Sequence, residues 1–363
     1  MNRPVFVLAL ALVGMLPAVA YSQPQLTPEQ RAMREKQEAL EKATPQLRIT
    51  EEVLKLVVPG HTIGEAVGVA KNSRGHLFVF TRSGASGNAF GSTASQLFEF
   101  DTNLKFVKQW GPDNYAASFA HTVRVDKNDN VWMTDEGSNM IVKFRPDATV
   151  EMVLGRKPEA VDWLEEYVQF GEKETERHPV GNVGTFNRPT DVTWDSQGNI
   201  FVSDGYNNSR VAKMDKYGNW VKALGTRGSG PQQFSTVHGI TSDAKDNIYV
   251  ADRGNRRVQV FDTDLNPVRI IDTVAAPWTL CVSPGEPQYL FSGDGNGKLY
   301  KTDLQGKLLG WAQTSLNHGQ RGCLIHELHC ESATVLYKGD CSTWTVEKIT
   351  ITGGGISDSA GRD

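Results

Sequence analysis

A short apolar run that ends in an aspartate and small residues returns again and again along this chain. The copies read "NVWMTDEGSN", "NIFVSDGYNN", "NIYVADRGNR", "YLFSGDGNGK" and "TVLYKGDCST", with a divergent first copy, "HLFVFTRSGA". Most follow a turn of the form D-x-x-x-N, and most precede a second apolar strand such as "MIVKF" or "RVQVF". Asp204, Asp252, Asp294 and Asp340 follow one another at 48, 42 and 46 residues, and Asp135 precedes Asp204 by 69. A repeat of about 40–50 residues holding several short strands is a propeller blade, because one such sheet cannot bury its faces alone. Six copies predict an all-β, six-bladed β-propeller over 46–351. The sixth copy ends after its third strand, so the early stretch "LRITEEVLKLVV" (48–58) is expected to supply the fourth and remove an open edge.

The flanks differ in kind. Residues 1–20 read as a secretory signal: Arg3, an apolar run from Val5 to Leu16, then Ala18 and Ala20. That places the protein outside the cytoplasm, secreted or periplasmic. Residues 21–45 form a charged lead-in, with Thr27 and Pro28 opening a helix expected to lie exposed without a core of its own. The long interval before Asp204 marks an insertion over 156–185, with a short helix around 158–170. Residues 352–363 read as a flexible tail. A net charge of −4 leaves no basic footprint for nucleic acid, and no segment is long enough for a membrane span. The four cysteines allow three pairings, of which a hairpin over 323–341 favours Cys323–Cys341. A monomer is expected.

Fourteen residues before the blade aspartate stands His121 in copy two, His238 in copy four and His326 in copy six. Copies one and three hold Val67 and Thr190 there, so the repeat does not itself demand histidine. This slot opens the innermost strand at one mouth of the channel. Alternate blades of a six-fold ring are a third of a turn apart, so three imidazoles converge on the axis. Three histidines with a fourth position open suit a catalytic zinc site. Arg82, Arg253 and Tyr206, just after the aspartate positions of copies one, four and three, are placed at the same mouth. Two guanidiniums and a phenol there suit an anionic substrate, the phenol serving as a base if the cations lower its pKa. His61, His76, His178, His318 and His329 fall outside the slot and are assigned to surface or loops. The recurring aspartates are assigned to turns.

The phrases "DGYNNSRV" and "ADRGNRRVQVF" are the signature of NHL-type repeats. With "GVAKNSRGHLFVFTR", "HTVRVDKNDNVWMTD" and "FNRPTDVTWDSQGNIFVSDGYNNSR", the chain resembles the peptidyl-α-hydroxyglycine α-amidating lyases. The resemblance implies zinc on His121, His238 and His326, substrate arginines at Arg82 and Arg253, and a catalytic tyrosine at Tyr206. It also implies a structural calcium held by the carbonyls of Val69 and Val123 and by Glu327. The implied substrate is a small anion or peptide C-terminus bearing an α-hydroxyglycine, split to an amide and glyoxylate. The pattern departs at Leu324, Ile325 and Glu327 around the last histidine, and at Asn207 and Val260, which replace family cysteines. A non-catalytic propeller that binds peptide or glycan, and a lactonase-like metal hydrolase, are the competing functions.

Overall fold

The computed structural model describes residues 28–82, 95–157, 185–315 and 322–356. Within them the chain forms six four-stranded antiparallel sheets arranged as propeller blades. The inner strands are Glu65–Lys71, Ala120–Val125, Asp191–Trp194, Val237–Ser242, Thr279–Val282 and Glu327–Cys330. In the first five blades the chain runs from the inner strand outward in sequence order. The sixth takes three strands from the C-terminal end and its outermost one, Leu47–Val53, from the N-terminal end. That strand pairs from Leu47↔Gly354 to Val53↔Glu347, so the ring closes as expected. Because Leu47 and Arg48 find partners in Gly354 and Gly353, the last strand runs past the expected boundary at 351.

The D-x-x-x-N phrase makes the hairpins. The Asp126 carboxylate accepts the backbone N–H groups of Asn128 and Asn130, and Asp195, Asp243, Asp215 and Asp262 repeat the pattern. These Asx turns offer the chain a local substitute for the strand ladder. The fourth position takes positive φ, as at Asp129 (61°), Gly198 (85°) and Asp246 (64°), which favours Gly or Asp there, although the Asp262 turn holds Leu265 at 58°.

The blade aspartates staple the incoming chain. Asp135 accepts from the N–H groups of Ser118, Phe119 and Ser138. Asp204 holds Asn187, Asn208 and Arg210, and Asp252 holds Ser235, Asn255 and Arg257. Burial still raises the Asp135 carboxyl to about 6. Facing sheets bury phenyl rings between blades. Phe201, Phe234 and Phe261 pack with Ile240, Ile248 and Val250 between blades three and four, each ring contributing roughly 1.5–3 kcal/mol.

Two expectations need correction. The N-terminal helix, Pro28–Ala43, is docked rather than free. Glu41 is buried and accepts from the Tyr300 hydroxyl and from Lys298, both at 2.6 Å, while the Trp311 indole donates to its carbonyl. Polar contacts, not an apolar stripe, seat this helix, so charge alternation concealed them. His329 is half-buried and not in a loop. It lies on the inner strand of blade six, lines a cavity of about 620 Å³ at the far end of the channel, and is lowered to about 4 by burial. His178, His318, the signal and the insertion's helix fall outside the described residues. No described helix is long and apolar enough to cross a membrane.

The cysteines pair as Cys323–Cys341 and Cys281–Cys330. The first ties the approach to His326 to the turn after Asp340. The second joins the inner strands of blades five and six.

Candidate metal centre

The three slot histidines meet. Their ring centroids are 4.6, 4.7 and 5.2 Å apart, and one ring nitrogen of each lies within 4.8 Å of the others. The repeat explains how. Each Nδ1 sits against a backbone carbonyl from the next segment round the ring: His121 on Thr190 at 2.6 Å, His238 on Trp278 at 2.6 Å and His326 on Val67 at 2.7 Å. A carbonyl only accepts, so Nδ1 carries the proton and Nε2 keeps its lone pair for the axis. Three blades thus supply imidazoles and the segments between them supply the carbonyls that orient them, the usual outer support of a metal ligand. The His121 Nε2 is buried with no hydrogen-bond partner. All three imidazoles are almost wholly buried, and burial pulls their pKa values down, that of His326 to about 3. They are therefore neutral near pH 7, the ligating form. The donor set fits zinc with an open position.

Tyr206 comes to the same place. It follows Gly205, at which a Cβ would lie 1.7 Å from the Val237 carbonyl, so only glycine lets blade three approach blade four here. Tyr206 has a φ of 42°, and its hydroxyl is 3.1 Å from His238 Nε2. With Nδ1–H of His238 already spent, the phenol donates. The Arg188 and Arg253 guanidiniums lie 4.5 and 5.2 Å from its ring centre. The condition set for this phenol as a base, a pKa lowered by the cations, is not met by their charge alone. Burial raises its pKa and outweighs the pull of Arg253, Arg188 and Arg82, while Glu136 adds to the rise.

Arg253 also stacks on Trp278 at 4.5 Å, and its Nη1 is buried without a partner. Arg82 is more engaged. It pairs with Glu65 across its own blade, donates to the Ala120 carbonyl at 3.1 Å and covers the Phe119 ring at 3.9 Å.

Sequence reasoning passed over Glu136 and Arg188. Glu136 is 1% exposed, is ion-paired to Arg188, and has Oε2 3.8 Å from His121 Nε2. A signal was present: Glu136 follows its blade aspartate as Arg253 follows Asp252. Arg188 stands two residues before the slot residue Thr190, while Trp278 fills the slot of blade five, its carbonyl serving His238 as that of Thr190 serves His121.

One tier further down the channel, the residues do not fit calcium. Glu327 Oε1 accepts from Arg124 at 2.9 Å and from the Thr279 hydroxyl at 3.0 Å. Arg124 follows Val123 directly and brings a guanidinium to the one carboxylate that calcium would require. No function is assigned to the Val69 and Val123 carbonyls.

Comparison with known proteins agrees with the fold. A family profile described as a 6-bladed beta-propeller matches residues 186–306. A probable peptidyl-alpha-hydroxyglycine alpha-amidating lyase of Caenorhabditis elegans is 29% identical over 231 residues, 59% of this chain and 60% of that protein. The peptidylglycine alpha-amidating monooxygenase of Rattus norvegicus is 28% identical over 320 residues, 80% of this chain but 30% of that protein. The chain thus spans less than two thirds of either relative. Among solved structures, virginiamycin B lyase from Staphylococcus aureus superposes with a TM-score of 0.55 at 10% identity, covering 84% of this chain and 99% of that one, a likeness of fold alone. The chain is a six-bladed NHL-repeat propeller related in sequence to the peptidyl-α-hydroxyglycine α-amidating lyases.

Proposed function

We propose that this protein is a zinc-dependent carbon–nitrogen lyase that converts an α-hydroxyglycine amide to the shorter amide and glyoxylate. The observation that carries the reading is the cluster of three neutral imidazoles with the Tyr206 hydroxyl 3.1 Å from one of them. His121, His238 and His326 would hold zinc, which supplies Lewis-acid polarisation of a substrate oxygen.

The chain's own residues account for the rest. Arg253 Nη1, buried and unpaired, binds the substrate carboxylate, and the Tyr206 and Trp278 faces hold its guanidinium flat. Arg82, already anchored, contributes positive potential more than a free fork of donors. Tyr206 Oη accepts the proton of the substrate hydroxyl. The electron pair left on that oxygen forms the glyoxylate carbonyl as the C–N bond breaks, and the nitrogen takes up a proton to leave as the amide. The Tyr206 hydroxyl lies 3.1 Å from His238 Nε2, which places it within reach of a substrate oxygen held beside the three imidazoles. Both disulfides suit an oxidising compartment, in line with the expected leader.

The test is direct. Zinc-loaded protein given an N-acyl-α-hydroxyglycine is expected to release glyoxylate and amide in equal amounts. Zinc binding without glyoxylate would leave the propeller a binding module or a hydrolase of another substrate.

The electrostatics give a second expectation. The base form of Tyr206 is the ionised one, so the rate rises with pH through its pKa. Glu136 raises that pKa, so Glu136→Gln is expected to move the rise to lower pH. An unshifted pH–rate profile would remove Glu136 from the control of Tyr206.

A further inference from the structure

Below the histidine tier lies a second ring of polar groups that the proposed chemistry does not use. Arg124 sits at its centre with its side chain 13% exposed. Its Nε donates to Asp191 Oδ1 at 2.9 Å and its Nη2 to Asp191 Oδ2 at 2.5 Å. Nη2 also lies 2.9 Å from Glu327 Oε1 and 3.3 Å from the Leu280 carbonyl, and Nη1 donates to the Leu328 carbonyl at 3.2 Å. Asp191 in turn accepts from the Ile240 N–H at 3.0 Å and the Thr122 hydroxyl at 3.3 Å. One guanidinium therefore gathers oxygens from blades three, five and six onto blade two, and Asp191 extends the network to blade four.

The sequence marks this tier as placed rather than repeated. One residue after the slot, a carboxylate stands only in copies three and six, Asp191 and Glu327, which lie opposite each other in the ring. At the position that holds Arg124 in blade two, the other blades hold Ala70, Thr193, Thr241, Cys281 and His329. Two carboxylates facing each other across a buried channel, with carbonyls between, make a ligand set for a hard divalent cation. The planar five-donor fork of arginine meets the same oxygens without an ion.

We infer that Arg124 is the built-in cation of the channel, doing through a side chain what a bound divalent ion would otherwise do, so that the protein neither needs nor binds calcium there. This does not rest on the lyase reading, and its test needs neither substrate nor turnover. Full-length zinc-loaded protein is transferred to calcium-free buffer, and its melting temperature and metal content are measured before and after calcium is added. The wild type is expected to hold no calcium and to melt at the same temperature in both conditions. Arg124→Ala leaves the carboxylates without their counter-charge and is expected to melt roughly 10 °C lower in calcium-free buffer. It is then expected to take up one calcium and regain most of that loss, and Arg124→Ala combined with Glu327→Gln is expected to lose the calcium response.

Calcium bound to the wild type, or a rise in its melting temperature on adding calcium, would overturn the inference even if no variant folded. Arg124→Ala melting like the wild type without calcium, or failing to respond to calcium, would overturn it as well. Arg124→Lys, which keeps the charge but loses the fork, is expected to melt between the two and to ignore calcium; a calcium response in that variant would also count against it.

Discussion

His238→Ala is expected to release the zinc and reduce glyoxylate formation to background. The reasoning is one of ligand number. Removing an outer support of a metal ligand already costs about 10–100-fold in affinity, and His238 is itself one of three converging ligands, so the affinity is expected to fall by more than about 100-fold. Two imidazoles, those of His121 and His326, remain 4.7 Å apart with no third donor. Elemental analysis of the purified variant and a glyoxylate assay read the two effects separately. The fold should persist, because the closing strand pairs and the blade aspartates do not touch this ring. A variant that kept its zinc and its turnover would show that the cluster is not the reaction centre.

Tyr206→Phe is expected to do the opposite to the metal and the same to the product. The ring stays, so the Arg188 and Arg253 stacks at 4.5 and 5.2 Å stay too, and substrate affinity should change little. What goes is the oxygen that takes the proton. Loss of a positioned general base lowers kcat by about 10²–10⁴-fold. Zinc content should equal that of the wild type. A large rise in KM with unchanged kcat would instead make Tyr206 a binding residue and move the base elsewhere, with Glu136, at 3.8 Å from the His121 ring nitrogen, the nearest other acceptor described.

These two expectations come from residues that could be found without coordinates, and the reason is register. A propeller repeats its backbone, so a position counted from the blade aspartate has the same place in every blade. His121, His238, His326, Tyr206, Arg82 and Arg253 were located by that count alone. The same count could have found Glu136, whose offset matches that of Arg253; it would have misplaced Trp278, because the first hairpin of blade five is two residues longer. Arg124 and Asp191 were harder to see. Each works through partners at different offsets in different copies, and counting within a copy cannot pair them. For the same reason Glu327 reads as a calcium ligand from sequence, where its contact with the arginine from blade two is not visible.

The cysteines divide in the same way. Cys323–Cys341 spans 18 residues of one hairpin and was foreseeable. Cys281–Cys330 joins the inner strands of two blades, a contact that only the closed ring creates. Helix docking escaped notice for a related reason: Glu41 finds Lys298 and Tyr300 across more than 250 residues of chain. The condition on the Tyr206 pKa could be posed from the sequence but not resolved there, because charges can be read from a sequence and burial cannot.

The seam of the ring also bears on the cluster. His326 of blade six is oriented by the Val67 carbonyl of blade one, and blade six is completed by the strand Leu47–Val53. The alignment of the third imidazole and the closure of the circle are therefore one event, and a change that frees that strand is expected to disturb both together.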